Sequence, residues 1–293
     1  MNADSRLTQA KSSSWVPQPD GVRSPAVALW HTLLRGIAVL NVVLWSIAAA
    51  SVISGEPVSH AGTNGELYLQ LLFSALYVLG CGFRCFLPVY DIPRLVLVDS
   101  RLSSVLVGRS VATLAEVAFG AQWALIVHRV AVLTHSPLAQ AVSLSIVPLI
   151  MTAQVCCWHA VLTTAQRGHV VENSIWGVSA ALVVISLLAI GPHRLVELYP
   201  PAIVWCGGGI AYAVFMFFFD VPMYWSRWRA DQANRRQYLS IAQGLLDVRR
   251  WTVSYRWEAW KSEVLWMSLY FSIGVWISIS LIYASAALNA HAG

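Results

Sequence analysis

Seven stretches of this chain are each apolar and long enough to cross a bilayer as a helix, near residues 29–53, 66–88, 107–128, 138–163, 174–190, 200–220 and 263–288. About 20 apolar residues are needed, because hydrocarbon offers the backbone no hydrogen-bonding partner outside its own ladder. Few folds satisfy seven such stretches. The pattern predicts an all-α, polytopic membrane bundle of seven transmembrane helices. Only 11% of the residues are charged, too few to coat a soluble globule of 293 residues, where about a quarter is usual. Soluble enzymes, fibrous proteins and disulfide scaffolds are excluded on that ground.

The basic residues predict an orientation. Four fall in the tail and the entry to the first span, four between the second and third spans, one (Arg167) before the fifth, and eight between the sixth and seventh. Only Arg129 and Arg194 fall on the other side. Cations are retained on the cytoplasmic side, so a cytoplasmic N-terminus and an outside C-terminus are expected. The expected location is a bacterial inner (cytoplasmic) membrane. Residues 1–28 read as a disordered cytoplasmic tail and 29–290 as one transmembrane domain. Within that domain, residues 224–262 interleave eight cations with Trp225, Trp228, Trp251, Trp257 and Trp260. Tyr238, Ile241, Leu245 and Val248 follow at helical spacing, so the segment reads as a basic amphipathic helix on the anionic inner leaflet. Two flanking spans argue against nucleic acid as its partner.

Familiar seven-helix roles fit poorly. A retinal Schiff base needs a lysine deep in the last span, and the chain has only Lys11 and Lys261. A G-protein-coupled receptor has the opposite orientation. No internal repeat suggests a transporter, although Pro148 and Gly207–Gly209 are candidate helix interruptions. No phosphate-binding, dinucleotide or multi-histidine motif occurs. The five cysteines lie in apolar runs and read as packing residues. The sequence does not identify a cofactor.

Ionisable residues within spans are costly, and each is a candidate site residue. They gather toward the predicted cytoplasmic half, which implies a polar cavity opening inward under a nearly bare outer half. Arg109, Thr113, Glu116, Gly120 and Trp123 share one helical face, and Glu116 lies about 10 Å deeper than Arg109 at 1.5 Å per residue. On the fourth span, Thr152, Cys156, His159, Thr163 and Gln166 form a second polar stripe. Glu116 is the candidate acid or base and His159 its partner. Arg84, Arg94 and Arg109 are candidates for holding an anionic substrate end, since guanidinium forks match phosphate oxygens; Asp91 and Asp99 are equally able to neutralise them. Asp220, Glu263 and Trp123 complete the expected substrate-binding set. His169-x-x-Glu172 has the spacing of a weak metal site, without the second copy that a di-iron bundle carries.

The expected partners are therefore membrane lipid and a hydrophobic small molecule. The leading expectation is an enzyme acting on a lipid or isoprenoid in a cytoplasm-facing cavity. A proton-coupled carrier or a scaffold subunit is the alternative.

Overall fold

Serine caps and proline starts set where the spans begin. Ser104 accepts from Val107 N–H, and Ser136 accepts from Ala139 N–H just ahead of Pro137 at the first helical position. The computed structural model describes residues 24–55 and 61–290. Most of the tail expected at residues 1–28 lies outside the described residues. Helices α1 (Pro25–Gly55), α2 (Ala61–Phe86), α3 (Val105–Thr134), α4 (Pro137–Thr163) and α5 (Arg167–Leu188) follow one another, and the short α6 (Pro192–Leu198) leads to α7 (Ala202–Phe215). A π-helical turn, Met216–Asp220, joins α7 to α8 (Val221–Ala233). After α9 (Ile241–Asp247), a second π-helical turn, Tyr270–Gly274, joins α10 (Trp257–Leu269) to α11 (Val275–Ala290).

Among the described residues, seven rods are thus long and apolar enough to span a membrane, the last two being the composites Ala202–Ala233 and Trp257–Ala290. The protein is an all-α seven-helix bundle of membrane type. Large apolar side chains cover its outside, among them Leu33, Leu79, Leu144, Val155, Val204 and Phe218, as lipid contact requires. Neither suspected interruption breaks a helix: α4 runs through Pro148 and α7 runs through Gly207–Gly209. Instead, the departures from α geometry are the two π-helical turns.

The first six rods each pack on the neighbour in sequence, and α11 closes back onto α1, α2 and α3. Helix α3, touching α2, α4, α5 and α11, carries the centre of the bundle. The α4–α5 hairpin is unusually close. A Cβ on Gly168 would lie 2.5 Å from the Cys156 carbonyl oxygen and 2.9 Å from the Ala160 nitrogen. Only glycine permits that approach, and it turns the end of α4 toward the start of α5. The half of the bundle expected to be nearly bare also holds buried, uncharged polar groups. Ser278 donates to Gln122 at 2.6 Å and meets Ser74 at 3.0 Å, and Asn41 donates to the Phe271 carbonyl at 2.7 Å. Such bonds between spans contribute on the order of 0.6 kcal/mol each.

The basic segment is more tightly built than an amphipathic helix lying alone. Its only helix between α8 and α10 is the seven-residue α9, opened by a Ser240–Gln243 capping box. Val248 is fully buried and its carbonyl accepts from Leu106 N–H at 3.0 Å. The segment then pairs with the loop after α2: β1 (Val89–Tyr90) lies antiparallel to β2 (Leu95–Val96), which lies parallel to β3 (Thr252–Val253). Ile241, Leu245 and Leu246 on α9 remain exposed.

Candidate functional site

The α3 stripe does face inward, and at its centre lies a buried ion pair. Arg109 and Glu116 stand seven residues apart, two turns along one helix, so a long guanidinium side chain can run beside the axis to reach the carboxylate. Arg109 Nη2 lies 2.8 Å from Glu116 Oε2 and also donates to Gln154 Oε1 at 2.8 Å. Gln154 Nε2 donates to the same Glu116 Oε2 at 2.6 Å. The other oxygen, Oε1, accepts from the Tyr270 hydroxyl at 3.3 Å. Thr113 and Trp158 extend the network, Thr113 to Gln154 at 3.0 Å and the Trp158 indole to Thr113 at 3.0 Å. Aromatic rings close the apolar side. Tyr270 meets Tyr77 edge-on at 6.2 Å, and Tyr77 stacks on Phe119 at 4.6 Å.

Asp91 brings the loop to this centre, its carboxylate 4.0 Å from Arg109 and 3.8 Å from Arg84. Arg84 also donates to the Val89 carbonyl at 3.1 Å. The side chains are not saturated. Arg84 Nε, Arg109 Nε and Asp91 Oδ1 are buried and make no hydrogen bond. Beside them, burial first and then the Glu263 charge push the Tyr90 phenol above its ordinary range.

Other expected site residues are placed elsewhere. His159 is exposed on α4, and it is Gln154 and Trp158 that this helix turns toward α3; Glu116's partner on α4 is an amide, not an imidazole. Arg94 sits in the left-handed region at φ 58° between β1 and β2. Its guanidinium is spent on Asp247 at 2.9 Å and on the carbonyls of Asp91 and Val161 at 2.8 and 2.7 Å, so it fastens three segments together. Asp99 is exposed and accepts from the Trp251 indole at 2.9 Å. Trp123 packs edge-on against Trp205 at 5.4 Å, in a separate apolar cluster with Ile126, Ile150 and Leu187.

No family model, curated protein or solved structure matches the chain. Function must be argued from the site itself.

A second polar cluster lies across the α4–α5 hairpin. His169 Nδ1 is 2.8 Å from Glu172 Oε2, and these two groups and Cys157 bring one ligand atom each to within 4.8 Å of one another. Tyr224 of α8 covers the imidazole at 5.0 Å between ring centres. One turn further along α5, Asn173 donates to Asp220 at 2.5 Å. Asp220 ends the first π-helical turn and Tyr270 begins the second. Such turns recur where a helix re-aims side chains at a working site. Sequence reading passed over Gln154, Tyr270 and Cys157. An amide amid the apolar run of the fourth span was the one available signal.

Proposed function

We propose that this protein is an integral membrane enzyme acting on a lipid or isoprenoid by acid–base chemistry between the helices. The asymmetry of the Glu116 carboxylate carries this reading. Oε2 is clamped by Arg109 and Gln154, whereas Oε1 meets one hydroxyl, that of Tyr270 on a π-helical turn. A purely structural carboxylate is expected to have both oxygens engaged by its scaffold. Here Oε2 fixes the group, while Oε1, with that single hydroxyl bond, is placed to exchange a proton with a bound molecule, with the Tyr270 hydroxyl positioned to follow. The unpaired Nε atoms of Arg84 and Arg109 offer donors to a polar or anionic substrate end, and the Tyr77, Phe119 and Tyr270 rings offer an apolar wall.

Lipid extracts of cells with and without the protein provide the first test. The expected result is a lipid species whose level depends on the protein, and positioned proton transfer contributes about 10²–10⁴-fold to a rate. Glu116→Gln, which keeps the shape and accepts from Arg109, should abolish that dependence while the protein still accumulates. Tyr270→Phe should weaken it. Unchanged lipids in the presence of the protein, or full turnover by Glu116→Gln, would sink the proposal.

We also propose that the arginine-rich end, with Asp91 at the mouth, faces the cytoplasm. The distribution of cations supports this. Gln237→Cys should resist impermeant thiol reagents in intact cells and react in inside-out vesicles, while Ser59→Cys does the reverse, both in a background whose native cysteines are blocked. Labelling of Gln237→Cys in sealed cells would invert the topology.

A further inference from the structure

We propose that Cys157, His169 and Glu172 form a binding site for one divalent transition metal of the zinc class. It lies beside the Glu116 centre and uses none of its residues. Three donors of three types, a thiol sulfur, an imidazole nitrogen and a carboxylate oxygen, come from two helices and converge within 4.8 Å. Around a tetrahedral zinc, with bonds of about 2.0–2.3 Å, ligand atoms sit roughly 3.3–3.7 Å apart. The His169–Glu172 separation of 2.8 Å therefore has to open by under about 1 Å, and the thiol has to close by a similar amount.

Burial argues in the same direction. Cys157, His169 and Glu172 are 1, 9 and 6% exposed, and ionisable groups held within apolar spans are costly unless they serve a function. Their positions are fixed by backbone rather than by flexible side chains. The His169-x-x-Glu172 spacing puts both on one face of α5, and the Gly168 contact with Cys156 and Ala160 brings Cys157 opposite them. The charges also balance. Within the ligand set, Glu172 and a Cys157 thiolate supply two negative charges, which a divalent ion neutralises. Mixed sulfur, nitrogen and oxygen donors suit zinc better than magnesium or calcium, and three protein ligands leave a fourth position for water or a substrate oxygen. Tyr224 on the His169 ring and Asp220 nearby are placed to orient the ligands from outside.

Full-length protein purified in detergent, stripped with chelator and then titrated with Zn²⁺ tests this by elemental analysis. One tightly held zinc per chain is expected. With Co²⁺ as the probe, coordination by Cys157 should give a thiolate-to-cobalt charge-transfer band in the near ultraviolet. Cys157→Ser, His169→Gln and Glu172→Gln should each weaken binding by more than the about 10–100-fold that loss of an outer-sphere partner causes. Cys156→Ser and His159→Gln, close in sequence but outside the ligand group, should leave binding unchanged. Affinity should fall as the pH is lowered, since the ligands must shed protons to bind. Should a ligand variant fail to fold, the cobalt spectrum of the wild-type chain still decides the matter. Substoichiometric zinc, a cobalt complex without the thiolate band, or undiminished binding by Cys157→Ser would overturn the site. These readouts require no activity, so they stand or fall apart from the lipid chemistry.

Discussion

Arg109→Met should destabilise the bundle by about 3–5 kcal/mol, the usual cost of stripping one partner from a buried ion pair. Detergent-solubilised protein unfolded by heat or denaturant would register it. Glu116 would keep Gln154 and Tyr270 but lose the cation that neutralises it, and Asp91 would be left with Arg84 as its neutralising contact. Glu116→Gln should cost less, because Arg109 retains Gln154 and Asp91. The double variant Arg109→Met, Glu116→Met should therefore be more stable than the sum of its single variants, by a coupling of about 0.5–3 kcal/mol. Additive losses would mean that the two side chains are separately solvated and that the centre is not the closed network seen here. Arg109→Met matching wild type within about 0.5 kcal/mol would do the same.

That network shows how far the sequence could be read. The spans were legible because an apolar run of membrane length has few other solutions, and the α3 stripe because a charge pair seven residues apart must share a helical face. The partner on α4 was not legible. At about 100° per residue, His159 lies roughly 140° around the helix from Gln154, so choosing the most reactive side chain chose the wrong face. Cys157 is only about 60° from Gln154, near enough to turn inward toward α5. Its placement depends on the closeness of two helices at Gly168, which no periodicity reveals. Nor do apolar runs mark where a helix will relax into a π turn, and it is those turns that carry Tyr270 and Asp220. The arginines divide in ways that their count along the chain does not reveal. Asp91 takes part in neutralising Arg84 and Arg109, while Arg94 serves as a clamp because its φ aims it under the chain rather than into the mouth.

Tryptophan was the most ambiguous residue, and Trp260 provides the sharpest test of how the basic segment is held. Indoles gather both at membrane interfaces and in cores, and in a run of cations the interfacial reading is natural. In the structure Trp260 is fully buried. Its ring lies 5.6 Å from that of Trp30 in α1, and its indole donates to the Ser254 carbonyl at 2.9 Å. That bond ties α10 to the strand segment that carries β3, while Arg94 and the Leu106–Val248 bond secure the segment from its other end. Trp260→Ala should accordingly cost about 3–5 kcal/mol, as emptying a large aromatic site does, and should do so in detergent, where there is no lipid surface. Trp257→Ala, partly exposed three residues earlier, should stay within about 0.5 kcal/mol of wild type. Local release should accompany the loss, with faster protease cleavage at Arg249–Arg250 in the Trp260 variant whether vesicles are anionic or zwitterionic. An interfacial anchor behaves otherwise: its removal leaves stability in detergent unchanged, and cleavage then depends on lipid charge and rises with salt as the surface attraction is screened. That second pattern would return the segment to the membrane surface and leave the small sheet without its principal support.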